Sequence, residues 1–377
     1  MAVSSRELKI GPLVVDPPVV LAPMAGVTNP AFRRLCRSFG AGLYVSEMVS
    51  ARGLLQDDAT THRLATFADD EPVRSLQLYG TDPAVVGAAV ARMVAERGID
   101  HVDLNMGCPS PKVTRRGGGA AVTVRPRLVG AIVAAAVRSA GAVPVTVKMR
   151  KGVDEQTLTY LEAARAAEDA GAAAVALHAR TAEQLYSGRA DWPAIARLKQ
   201  TVTTVPVLGN GDVWRADDAL RMMRETGCDG VVVGRGCLGR PWLFRDLADA
   251  FAARPVQPPP SLGEVVDIMK RHARLLVEHK GDEAWAVRDF RKHTGWYLTG
   301  YAAGGEMRRS LSMASSLAEL DALLDRLDRS VTLPLGHDAL PRGHSQGPKP
   351  VSLPEGWRES AGSDAPPDDG GLFVTGG

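Results

Sequence analysis

The stretch that decides the fold is PVLGNGDVWRADDALRMMRETGCDGVVVGRG, residues 206–236. Two short apolar, β-branched runs (206–212 and 230–236) flank a helical stretch, Arg215–Glu225, and end in the glycine-rich turns GNGD and GRG. Run, helix, run is the pattern of a βαβ unit with parallel strands. The placement of the glycines separates two architectures. An open doubly wound sheet wants a GxGxxG turn after its first strand, and APMAGVTNP (22–30) is not one. Glycine-rich turns after the last two strands suit a (β/α)₈ barrel, which binds phosphate there.

Six further runs precede this unit: 19–26, 43–48, 74–80, 101–109, 144–150 and 174–180. Helical stretches such as Asp82–Arg97, Arg125–Ala140 and Leu158–Ala170 lie between them. Asp82 before Pro83 reads as a cap with a first-turn proline, and Gly98 and Gly171 stand where helices stop. Eight β/α units between about residues 19 and 245 predict an α/β fold, a (β/α)₈ TIM barrel. LKIGPLVVDPPVV (8–20) reads as a short hairpin ahead of it. The expected organisation is a catalytic barrel over 1–252 and a stiff proline-rich linker over 253–263. A small all-helical domain follows over 264–335, and a disordered tail over 336–377. The tail is rich in Pro, Gly, Ser and Asp and cannot bury enough apolar surface to offset its ordering entropy.

The formal charge of +2 divides into an acidic tail and a mildly basic body, which tolerates a polyanionic partner without demanding one. No run approaches a membrane span, and the first residues, MAVSSRELKIG, have no apolar core of the kind a secretory signal needs. The four cysteines form no CxxC pair, so no metal site is expected, and reduced thiols in the cytoplasm are. Cys36 and Cys228 read as packing residues.

In such barrels the active site lies at the C-terminal ends of the strands. There the runs turn polar: Met24, Glu47, Gln77, Asn105 with Cys108, Lys148 with Arg150, His178 with Arg180, Asn210 to Asp212, and Gly234 with Arg235. Gly211, Gly234 and Gly236 allow close backbone approach to a phosphate, and Arg235 adds a fork of donors. Lys148 and Gln77 would flank the polar edge of a flat ring system such as a flavin. Cys108 sits on a loop after the fourth run, followed by the basic, glycine-rich PSPKVTRRGGG. It can serve as nucleophile, if a base makes thiolate, or as an acid, which needs only the neutral thiol.

Together LAPMAGVTNPAFR (21–33), LQLYG (76–80), DLNMGCPSPKV (103–113), GGGAA (117–121), VKMRKG (147–152), LHART (177–181), VLGNGDV (207–213), VGRGCLGRPWLF (233–244) and RKHTGWYLTGY (291–301) carry a resemblance. They resemble the bacterial tRNA-dihydrouridine synthases, most closely the B subgroup, in register over about residues 10–320. The resemblance implies FMN on the barrel, reduced by NADPH or NADH, and a uridine of the tRNA D-loop as substrate. Hydride would go to carbon-6 of the uracil and a proton from Cys108 to carbon-5. It places flavin contacts on Pro23, Met24, Ala25, Gln77, Lys148, His178, Asn210, Gly211, Asp212, Gly234 and Arg235. Asn105 and Arg180 fall on the uracil side, and Lys112 and Arg116 near the RNA backbone.

Extracting a stacked base costs a few kcal/mol, which phosphate contacts can offset. The helical domain, with seven Lys/Arg against four acids between Lys270 and His293, is the natural clamp. Its Trp296 and Tyr297 offer rings that could stack on RNA or fill the helical core, and core is the favoured reading. A monomer is expected. Two other readings share parts of this pattern: a dihydropyrimidine or dihydroorotate-type oxidoreductase acting on a free pyrimidine, and a non-catalytic RNA-binding protein on a barrel scaffold.

Overall fold

Apolar residues at alternating positions, framed by turn residues, give the eight runs their strand character. A computed structural model describes residues 7–40, 42–343 and 347–367. The leading hairpin is present: β1 (Leu8–Ile10) pairs antiparallel with β2 (Leu13–Val15). The runs themselves become β3 (Val19–Leu21), β4 (Leu43–Ser50), β5 (Ser75–Tyr79) and β6 (His101–Met106). After them come β7 (Val145–Arg150), β8 (Ala174–His178), β9 (Val207–Asn210) and β10 (Gly230–Val233). All eight are parallel, and β10 pairs with both β9 and β3, closing the barrel.

Inside the barrel, Leu8 and Ile10 of the hairpin pack with Val20, Val45, Ala176, Leu208 and Val232, so the hairpin plugs the N-terminal mouth. The inward residues of β5, β6 and β7 are polar and are described with the site. Helices wrap the outside. In Pro83–Arg97 the Asp82 carboxylate accepts from the Ala84 N–H at 2.8 Å, and Gly98 ends the helix at φ +56°. Its buried face carries Val86, Ala89, Val90 and Met93.

Beyond the helix Leu243–Phe251 the proline-rich segment forms neither helix nor strand, and Ser261 and Glu264 form a capping box that starts the next helix at Leu262. Helices Leu262–Lys280, Glu283–Tyr297, Gly305–Leu311 and Leu317–Leu324 share one core, into which the barrel inserts Trp242 and Ala31. Tyr297 is buried there with its hydroxyl 3.0 Å from His272 Nδ1, and Trp296 packs on the barrel core. Tyr297 is thus a core residue, while Trp296 is half-buried at the edge of the core. Much of the basic run is engaged within the chain: Lys270 pairs with Asp325, Arg274 with Asp321, Lys280 and Lys292 with Asp289, and Arg291 donates to Ala314 O.

The expectation of a disordered tail needs correction over residues 336–343 and 347–367. Asp338 pairs with Arg215, Arg358 with Asp154, and the Lys349 N–H donates to Glu183 O. Trp357 is 2% exposed. A composition too polar for an independent core still docks when a few apolar side chains find a preformed surface. The rest of the tail, 344–346 and 368–377, lies outside the described residues. Among the described residues no helix is long and apolar enough to cross a membrane, and no group of three or more His, Cys, Asp or Glu could hold a metal ion.

Candidate active site

Period-2 geometry turns Ser75 and Gln77 of β5, His101, Asp103 and Asn105 of β6, and Thr146 and Lys148 of β7 toward the barrel axis. All but Lys148 form a hydrogen-bonded chain. Asn105 Nδ2 donates to Gln77 Oε1 at 2.9 Å, and Gln77 Nε2 donates to Asp103 Oδ2 at 2.6 Å. Thr146 Oγ1 donates to Asp103 Oδ1 at 2.6 Å, and His101 lies 3.0 Å from Thr146 Oγ1 and 2.7 Å from Ser75 Oγ. Burial pushes the Asp103 carboxyl up, against the hydrogen bonds from Thr146 and Gln77. The Asp103 charge in turn offsets part of the burial that pulls Lys148 down. Gln77 is fully buried with both ends of its amide engaged.

The turns after β9 and β10 open on a cavity. It is lined by Pro23, Met24, Lys148, His178, Asn210, Gly211, Asp212, Gly234 and Arg235 among others. These are nine of the eleven residues expected to hold a flavin. Gln77 and Ala25 are not part of the lining, and Ala25 is exposed. A Cβ at Gly234 would stand 3.5 Å from Ala22 Cβ and 3.9 Å from Met24 Sδ. Gly211 adopts φ +125° and its carbonyl accepts from Trp192 Nε1 at 2.9 Å. Arg180 lines this cavity rather than standing beside Asn105: its guanidinium bonds both carboxylate oxygens of Asp212 at 2.8 and 2.9 Å, together with the Ser187 and Gly188 carbonyls. Arg180 Nη1 is buried and has no protein partner. The Arg235 guanidinium is held between the Tyr186 and Trp214 rings, 4.4 and 5.2 Å from their centroids.

Charge is unevenly distributed around this cavity. Burial and the cations Arg150, Lys148, Arg180 and Arg235 together hold the His178 imidazole well below its ordinary range, so it is neutral. Lys148 Nζ makes no hydrogen bond among the described residues. Buried cations with unfilled donors favour an anion.

Cys108 stands at the start of the loop after β6. Asn105 Oδ1 accepts from the Gly107 and Cys108 N–H groups at 3.1 and 2.9 Å, and Arg150 Nε donates to Gly107 O at 3.0 Å. Burial pushes the Cys108 thiol up, against smaller opposing effects of the Ser110 backbone and Arg150. The thiol is therefore protonated at neutral pH. Lys112 and Arg116, further along the loop, line a second cavity with Ser50, Arg52, Tyr79 and Thr81. Glu47 accepts from the Gly26 N–H and faces the Lys280 and Lys292 charges of the helical region. Cys36, Cys228 and Cys237 are free and buried.

Sequence reasoning did not single out Asp103, Tyr186, Trp192 or Trp214. For Asp103 a signal existed, since a polar residue at an alternating position of an apolar run must have partners inside the barrel. Tyr186 and Trp214 are brought in by loop folding, which leaves no local signal, and Trp192 by the first turn of the helix Trp192–Thr201.

A barrel with an anion-seeking cavity at the ends of β9 and β10 and a protonated loop thiol is the class that fold and site define. The family model described as Dihydrouridine synthase (Dus) matches residues 20–332, and the chain belongs to that family. A protein of Mycobacterium tuberculosis named "Probable tRNA-dihydrouridine synthase" is 56% identical over 363 residues, spanning 94% of this chain and 92% of its own. A Pseudomonas aeruginosa protein named "tRNA-dihydrouridine synthase B" is 40% identical over 302 residues, spanning 80% of this chain and 90% of its own. Among solved structures, a histamine dehydrogenase from Rhizobium sp. 4-9 superposes with a TM-score of 0.53 at 11% identity, over 86% of this chain. The chain spans 65% of that longer protein, and the likeness is one of fold.

Proposed function

We propose that this chain is a tRNA-dihydrouridine synthase of the B type, acting in the cytoplasm on a D-loop uridine of tRNA. The observation that carries the reading is the cavity at the ends of β9 and β10, where nine expected flavin contacts meet beside the unfilled donor of Arg180. Its residues fit a flat ring ending in a phosphate. Gly211, Gly234, Arg235 and Arg180 would hold the phosphate of FMN, and Met24, Asn210, His178 and Lys148 the remainder. Bound there, and reduced by NADPH or NADH, FMN supplies the hydride for carbon-6 of the uracil.

The chain's own residues do the rest. Cys108 keeps its proton on Sγ at neutral pH and delivers it to carbon-5. Asn105 and Arg150 fix the Gly107–Cys108 peptide that leads into that thiol. Lys112, Arg116 and Arg52 give the second cavity a basic lining suited to RNA phosphates. Names carried by relatives at 56% and 40% identity support the tRNA substrate.

Cys108→Ala is expected to purify with FMN bound and to be reduced normally by NADPH, yet to form dihydrouridine in tRNA about 10²–10⁴-fold more slowly. Full activity in this variant would overturn the proton-donor role. Turnover of free uracil with none on tRNA would favour a free-pyrimidine oxidoreductase.

A further inference from the structure

The family match ends at residue 332, whereas the match to the mycobacterial relative covers 94% of the chain and so reaches into the segment beyond. That segment follows the C-terminal rim of the barrel. Asp338 pairs with Arg215, after β9. The Lys349 N–H donates to Glu183 O, after β8. Arg358 donates to Asp154 and Thr157, after β7, at 2.6 and 2.9 Å. Val351 and Leu353 pack on the barrel core, and the segment ends against the loop after β6, which carries Cys108.

The contact with that loop is made by Trp357. Its Nε1 donates to Ala121 O at 2.8 Å. The Arg125 guanidinium lies 3.5 Å from the indole ring centroid and donates onward to Ser360 Oγ and to Ala365 O. The outer edge of the ring occupies the space next to Gly117. A Cβ at Gly117, whose φ is +74°, would stand 2.4 Å from Trp357 Cη2. The path from Trp357 to Cys108 is short: Ala121 accepts from the indole, and the N–H of its neighbour Ala120 donates to Cys108 O at 3.0 Å.

We propose that the C-terminal segment is a strap that holds the Cys108 loop closed over the site, with Trp357 as the positioning residue. The proposal rests on the reading of Cys108 as proton donor. Without the indole, Ala121 and Arg125 lose their cover and three consecutive glycines, Gly117 to Gly119, leave the loop free to lift. A displacement of about an ångström at a proton donor costs on the order of 10²-fold in rate.

The test compares full-length wild type, Trp357→Ala, Trp357→Phe and Cys108→Ala. One readout is alkylation of Cys108 by iodoacetamide, followed by peptide mass, with buried Cys36, Cys228 and Cys237 as internal references. The other is single-turnover dihydrouridine formation on tRNA, beside the rate of flavin reduction by NADPH. In Trp357→Ala, alkylation of Cys108 is expected to rise several-fold while the other three cysteines stay protected. Flavin reduction should be unchanged and dihydrouridine formation should fall about tenfold to hundredfold. Trp357→Phe, which keeps a ring on Arg125 but loses the bond to Ala121, should recover most of the activity with a smaller rise in labelling. Unchanged labelling and unchanged dihydrouridine formation overturn the proposal, as does an equal rise at all four cysteines, which marks general loosening. Should Trp357→Ala not fold, Trp357→Phe decides, and no rise in its Cys108 labelling overturns the strap. Full activity in Cys108→Ala sinks the acid role, while the labelling still decides the strap.

Discussion

Lys148 shows how one buried side chain ties sequence to chemistry. Burial pulls its ammonium down to about 8, with the Asp103 carboxylate opposing. Above that pH the cation is lost, so turnover is expected to fall as pH rises through about 8. Lys148→Arg, whose guanidinium stays protonated, should move the falling limb upward. A pH–rate profile for both proteins checks this, and an unmoved limb would assign it to another group. Arg180 makes a different point. Its place near His178 in LHART was legible, but its partner Asp212 comes from the turn after β9, and only their meeting fixes the guanidinium at the cavity. Asp212→Ala should leave Arg180 buried and without its ion pair, and is expected to weaken FMN binding, measured by fluorescence of the released flavin, by tenfold or more at about 1–3 kcal/mol per broken charged contact.

Among the elements, the hairpin is the one whose purpose was least visible. LKIGPLVVD signals a turn, but not that Leu8 and Ile10 would become the floor of the barrel. Ile10 is 1% exposed and touches residues of several strands, so Ile10→Ala should cost about 2–5 kcal/mol in urea unfolding with the slope unchanged. The barrel strands and the helices between them were legible because each has its own period and its own caps. Asp82 and Gly98 bound their helix where local chemistry says they should. The end of the chain was misread for the same reason. Local composition around Trp357 is that of a loop, and docking depends on Arg125, Gly117 and Ala121, more than two hundred positions earlier.

For the whole molecule, buried neutral histidines set the acid limit. Burial pulls His101 down to about 4 and His272 to about 3, and holds His293 well below its usual range. In the unfolded chain these rings take up protons near pH 6.5, so below that pH the unfolded state binds more protons than the folded one. Stability is therefore full above about pH 6.5 and declines as pH falls toward 3–4, by up to about 1.4 kcal/mol per pH unit for each ring. Urea melts between pH 7.5 and 4.5 check the slope. His272→Phe, which stays apolar beside Phe290 and Phe32, should flatten it, and an unaltered slope would exclude that ring as a contributor.

The sequence alone determined the parallel (β/α)₈ order, the glycine-rich turns after its last two strands and the polar residue at the end of each strand, because period, capping and turn chemistry are local. Only the tertiary structure decided that Arg180 pairs with Asp212, that most of the basic run is engaged within the chain, and that Trp357 packs against the Cys108 loop. Those outcomes depend on which side chains meet across long separations in sequence, where charge pairing and apolar burial outweigh local preference.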